Sequence, residues 1–181
     1  MWYPVSDEIT LEAVDLEDAR FQLRLSDGED DFDANVFMLV KSARAHVEAY
    51  CSRAFAAHSM VWACDGFGDL CRLPMGPASS IASIGYTDPD AVAQTVPGTV
   101  YQFRADGLEP SIALRPGQRW PSIQPGTRIT VTGTFGGQCP DDVKHAMLLL
   151  IEEGFDPLEN KTLPIMSRVD ALLANHRRGC W

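Results

Sequence analysis

With 181 residues, 45% of them hydrophobic and 22% charged, the chain has the size and balance of one globular domain, or of a compact core carrying an insertion. A net charge of −10 excludes a wrapped nucleic-acid ligand, because phosphate contacts need basic patches. No apolar run approaches the ~18 residues of a membrane span, so no membrane partner is expected.

Met1 to Ala13, with Trp2, Tyr3 and Pro4 ahead of a mixed stretch, reads as an extended arm. It has no basic segment followed by an apolar one, so no secretory signal is expected. Asp15 then starts a short helix as its N-cap, with Asp18 three residues on. Leu16, Ala19 and Leu23 form the apolar stripe of that helix, with Phe21 a candidate to join it; the helix ends near Leu25 before the breaker Ser26-Asp27-Gly28. The longest element runs from Asp31 to Phe55. Phe32, Val36, Leu39, Val40, Ala43, Val47, Tyr50 and Ala54 recur there at helical spacing and line one apolar face. Asp33, Lys41, Arg44, His46, Glu48 and Arg53 occupy the other face and suit water or a polar partner. Glu29, Asp30, Asp31 and Asp33 gather at its start, where unpaired N–H groups and the positive dipole end favour carboxylates.

After His58 the period changes from helix to strand. Met60, Trp62 and Cys64 alternate with Val61 and Ala63, the turn Asp65 to Asp69 follows, and Leu70 to Leu73 reads as the returning strand. Further strands are expected at Ser80–Tyr86, Val100–Arg104, Ser111–Arg115 and Arg128–Phe135. The last is the clearest, with Ile129, Val131, Gly133 and Phe135 on one side and three threonines on the other. Pro140, Asp141 and Asp142 open another helix with the stripe Val143, Met147, Leu150 and Ile151, stopped by Gly154 and Pro157. A loop over Leu158–Pro164 leads to a short helix carrying Val169, Leu172 and Leu173, and then to a basic, aromatic tail.

These elements predict an α+β fold: a small α-helical bundle with an antiparallel β-module inserted between the second and third main helices. Residues 1–57 and 139–181 would form the helical core with terminal arms, and 58–138 the module. Little in the chain suggests catalysis. His46, His58, His145 and His176 lack metal-ligand spacing, and Asp65, Asp69, Asp88 and Asp90 lack the rest of a calcium loop. Ser79-Ser80 has no nucleophile-elbow context, and Gly136-Gly137 has no following Lys-Ser/Thr for a phosphate loop. Cys51, Cys64, Cys71, Cys139 and Cys180 are odd in number without a C-x-x-C pair, which favours free thiols in a reducing compartment. No catalytic, cofactor or metal site is therefore expected. Trp120 and Tyr86 suit stacking on a sugar or base, yet aromatic residues in a small sheet more often belong to its core.

Several segments stand in a telling order: VDLEDARFQLRL, the acidic DGEDDFDANV leading to VEAYCSRAF, a Trp-containing strand with DGF, and RLPMGPASSIASIGYTD. Trp120-Pro121, RITVTGTFGG, CPDDVKHAMLLLIEE and LPIMSRVDALLANHR complete it. From Val14 to Arg177 this resembles the head–tail connector (adaptor) proteins of long-tailed phages and gene transfer agents. The chain departs from that pattern with Asp15 where a Thr is more familiar, and with a short Asn160–Pro164 loop. The resemblance implies a structural virion protein of the neck, assembled in the host cytoplasm, rather than an enzyme. It implies a homo-oligomeric ring, twelve-fold when bound, that docks on the portal protein and carries a stopper or tail-completion protein. Packaged DNA would pass through its channel without specific binding. A monomeric β-sandwich-type module recognising a carbohydrate or protein is the alternative reading.

A ring needs one face of a subunit to meet a different face of the next. Lys41, Arg44, Glu48 and Arg53 form a charged stripe for such a contact, with Glu29, Asp30, Asp31 and Asp33 as its acidic complement. For portal docking the candidates are Arg168, Leu172, Leu173, His176, Arg177, Arg178 and Trp181, where positive charge alternates with apolar anchors. The early acidic run from Asp7 to Asp33, balanced only by Arg20 and Arg24, reads either as a solubilising face or as one that must not hold nucleic acid.

Overall fold

A computed structural model describes residues 1–26, 30–156 and 165–179. The chain divides into two compact units, Met1–Thr10 with Ala57–Gly136, and Leu11–Ala56 with Gly137–Trp181. In chain order the elements are β1 (Trp2–Leu11), α1 (Leu16–Gln22), α2 (Asp33–Cys51), β2 (Ala57–Cys64), β3 (Ala78–Thr87) and β4 (Ala93–Thr95). They continue with β5 (Tyr101–Arg104), β6 (Ser111–Leu114), β7 (Ile129–Phe135), α3 (Asp141–Phe155) and α4 (Ile165–Leu173). The fold is thus mixed α and β, with helices and an antiparallel sheet.

In the helical unit, Asp15 caps α1 by accepting the Asp18 backbone N–H at 2.7 Å. Arg24 (φ 56) turns the chain away after it. The spacing of α2 buries Val36, Val40, Ala43, Val47 and Cys51 against Val143, Ala146, Met147 and Ile151 of α3 and Val169 and Leu173 of α4. Truncating any of the larger of these to Ala costs about 2–5 kcal/mol, so this shared core carries the unit. α2 starts at Asp33 behind Phe32, whose side chain supplies no capping bond, and ends where Ser52 adopts a left-handed conformation (φ 52). Gly154 does not stop α3 as expected; it lies inside the last turn, where Leu39 Cδ2 would come within 2.7 Å of an added Cβ. That glycine is a packing device for α2 rather than a helix breaker.

In the β unit the strand order is β1-β2-β7-β3-β4, with β5 and β6 as a separate two-stranded hairpin. β7 alternates as the sequence indicates, burying Ile129, Val131 and Phe135 completely. It pairs with β2 on one side, Trp62 opposite Val131, and with β3 on the other, Ile84 opposite Val131. Three expectations change. The arm at Met1–Ala13 is β1, an edge strand of the sheet, so residues 1–10 belong with the strands and not with the helical core. Leu70–Leu73 is no strand: Phe67–Cys71 is a 3-10 turn whose Leu70 is fully buried. Ala93–Thr95, too short to show a period, pairs with the end of β3. The β5–β6 hairpin is tied to the rest of the unit by Leu73, which donates to the Pro110 carbonyl at 3.0 Å. Beside that bond only glycine fits at Gly76, since a Cβ would lie 2.3 Å from the Leu108 carbonyl oxygen.

Candidate interaction surfaces

Part of the charged flank of α2, namely Asp33, Arg44, Glu48 and Arg53, is turned to internal use, while Lys41 and His46 are exposed. Glu48, expected to face water, is 5% exposed. Its carboxylate accepts the backbone N–H groups of Phe55 and Ala56 at 2.7 and 3.0 Å, capping the chain as it leaves the helix. Arg44 clamps it, with Nη1 3.1 Å from Glu48 and Nε 3.0 Å from Glu12. The physical reason is the Ser52 turn, which brings the donors of residues 55 and 56 back over the Glu48 side chain. Arg53 lies over the Phe55 ring at 5.0 Å, and burial lowers its pKa. Asp33 pairs with Arg20 of α1. Of the residues expected at a subunit contact, Asp31 and Lys41 are exposed. Glu29 and the Asp30 side chain lie outside the described residues.

The C-terminal candidates also pack onto their own unit. Leu173 is fully buried, Leu172 half-buried, and Arg178 only 7% exposed. The Arg178 backbone N–H donates to the Cys51 carbonyl at 2.8 Å. His176 Nε2 sits 2.6 Å from Asp142 and its ring meets Phe55 edge-on. That contact holds the Asp142 carboxyl below its ordinary range. Arg177 covers the Tyr50 ring at 5.1 Å. Arg168 is exposed, while Trp181 lies outside the described residues.

The helical unit also exposes large apolar groups. Phe21 is 86% exposed and Met38 63%, with Phe37 and Phe32 near half. Of the α1 stripe, Ala19 is buried and Leu16 and Leu23 pack against the same core, while the candidate Phe21 lies outside it. Shallow grooves of about 390 and 440 Å³ open beside it, the first lined by Leu16, Glu17 and Leu25, the second by Gln22, Arg24 and Leu25.

The β unit gathers four aromatic rings. Phe67 and Trp120 stack in parallel with centroids 4.6 Å apart, Tyr101 stacks on Trp120 at 6.5 Å, and Tyr86 meets Phe67 edge-on at 6.2 Å. All four are half-buried, so the rings complete the packing between the 3-10 turn, β3 and β5. Arg104, Arg115 and Arg119 are exposed around them. Arg115 Nε donates to the Tyr101 carbonyl at 2.8 Å, which keeps that guanidinium beside the stack. Elsewhere in the unit, buried His58 bonds Asp7 of the edge strand at 2.7 Å. The sequence signal was a basic stretch: residues 101–128 hold Arg104, Arg115, Arg119 and Arg128 against Asp106 and Glu109, in a chain of net charge −10, and of these Arg128 lies over the Tyr3 ring at 3.8 Å and pairs with Asp65.

Little here resembles a reaction centre. No group of three or more His, Cys, Asp or Glu side chains among the described residues is arranged to hold a metal ion. Burial pushes the thiols of Cys51, Cys64 and Cys139 up to about 11, away from nucleophilic use at neutral pH. Among the described residues no helix is long and apolar enough to cross a membrane.

Neither a protein-family model nor a curated protein matches the chain. Solved structures do. The neck of an empty gene transfer agent (GTA) particle computed with C6 symmetry contains a chain matched with a TM-score of 0.81 at 21% identity, covering 100% of this chain and 97% of that one. The virion of a native GTA particle gives 0.75 at 23% identity, and the native GTA neck computed with C12 symmetry gives 0.69 at 21%, both at the same coverages. From end to end, the chain has the fold of a protein of gene transfer agent necks.

Proposed function

We propose that the chain is a ring-forming head–tail connector, a structural virion protein that docks on the portal vertex and links the DNA-filled head to the stopper or tail. The observation that carries this reading is the match over the whole chain, 100% of this one and 97% of the other, to a chain in a GTA neck computed with C6 symmetry. A neck computed with C12 symmetry holds a chain of the same fold, which favours twelve copies on a portal. The physics of the surface fits. A channel for packaged DNA must not bind phosphates, and a chain of net charge −10 supplies repulsion rather than a salt-sensitive grip. The exposed apolar groups of the helical unit suit a subunit that completes its surface in an assembly.

Complementation tests the role. Particles lacking this chain should accumulate as DNA-filled heads without tails, and adding the purified protein should restore tail attachment. Normal tailed particles in its absence would remove the connector role. The portal contact is less local than a free tail would make it, because Leu173, His176, Arg177 and Arg178 already have partners in the helical unit. Arg168, exposed on α4, is the docking candidate left open to a portal.

A further inference from the structure

Resting on the ring reading, we propose that the contact between neighbouring copies joins the α1 face of one subunit to the arginine-flanked aromatic ledge of the next. The two surfaces are opposite in kind. On α1, Phe21 projects with 86% of its surface exposed, and Glu17, one turn earlier, shares a groove with it. The Arg20–Asp33 ion pair ties the start of α2 to α1, and Asp31, two residues before Asp33, is exposed there. Neither Glu17 nor Asp31 has an ion-pair partner among the described residues. The β unit offers the reverse: exposed Arg115 and Arg119 on either side of the turn that leads to Trp120, itself half-buried in its stack. Arg119 likewise has no ion-pair partner among the described residues.

A phenyl ring set in an acidic rim fits an aromatic shelf set in a basic one. Ring against ring supplies burial and edge-to-face attraction, while flanking charge pairs fix orientation and raise the association rate. Because the two surfaces differ, a pair of copies keeps one of each free, as a heterologous contact requires, and repetition closes a ring when the rotation allows. The occupant is a second copy of this chain; a self-complementary pairing of two α1 faces would bring Glu17 near Glu17 and stop at a dimer.

The test is a charge exchange read by native mass and negative-stain microscopy of the full chain, alone and with its portal. Glu17→Arg with Asp31→Arg, and separately Arg115→Glu with Arg119→Glu, should each raise the concentration for half-assembly about tenfold or more, while all four together restore it. Phe21→Ala should weaken assembly with unfolding unchanged. Wild-type rings that survive both double reversals overturn this contact and leave the connector reading standing. Loss in both without recovery in the combination overturns the pairing as well. A wild type that never assembles, even on a portal, overturns the connector reading and this contact with it.

Discussion

The two ends of the helical unit exchange the roles their residues suggest. The C-terminal stretch from Val169 to Arg178, apolar and then basic, looks like a tail for a partner, yet Leu173 and Arg178 are buried and His176 and Arg177 are held by Asp142 and Tyr50. The α1 helix looks like simple packing, yet it leaves Phe21 86% exposed. Residue type gives the cost of exposure, and the neighbours decide whether it is met. Arg178, its backbone anchored on the Cys51 carbonyl, sits inside, and Arg177 lies flat over the Tyr50 ring; a phenylalanine opposite no helix stays out.

The sharpest way to break that contrast is at Glu48, which belongs to the inward-turned set. Glu48→Ala removes the acceptor for two buried N–H groups and the partner of Arg44, and should cost about 3–5 kcal/mol in urea unfolding. A change below about 1 kcal/mol would mean that Glu48 is the solvent-facing residue its sequence position suggests. Removing residues 176–181 comes next. It deletes the Arg178–Cys51 bond and the His176 contacts with Asp142 and Phe55, and should lower stability by about 2–3 kcal/mol. A free tail would leave the melting temperature where it was.

Smaller effects sharpen the comparison. Phe21→Ala should shift unfolding by no more than about 0.5 kcal/mol, as befits a surface residue. The Asp142–His176 contact gives a pH signature. The folded carboxyl is held below the ordinary value of 3.8, so its contribution is present above that pH and is lost as the pH falls through the lower folded value. Asp142→Asn should erase that part of the acid limb of the unfolding profile, leaving stability near neutral pH lower than wild type. Thiol labelling of the native protein completes the set. Among the described cysteines, exposed Cys71 should react at pH 8, whereas Cys51, Cys64 and Cys139, with pKa about 11, are only about 0.1% thiolate there and should stay protected until unfolding.

Much of the fold was legible in the sequence because the signal is local. The i, i+3, i+4 stripe of α2, the Asp15 cap and the two-residue alternation of β7 each follow from backbone geometry within one element. What was not legible depends on partners distant along the chain. β1 is a strand because β2 lies beside it, and its own residues, mostly exposed, carry no period that would say so. Glu48 reads as a surface residue on a helical wheel; its burial depends on a turn that begins at Ser52. Gly154 reads as a stop, and Leu39, more than a hundred positions away, makes it a fit. The basic character of residues 101–128 was visible as four arginines against two acids, but only the folded chain shows that Arg115 bonds the Tyr101 carbonyl and that Arg119 precedes the stacked Trp120.

The connector reading meets its most direct test in electron microscopy of the purified 19.9 kDa chain mixed with portal rings from the same particle. Class averages should show an added layer of twelve-fold symmetry on the portal, with no such layer when the chain is omitted. Portal rings that remain bare at saturating concentrations of folded protein would contradict it.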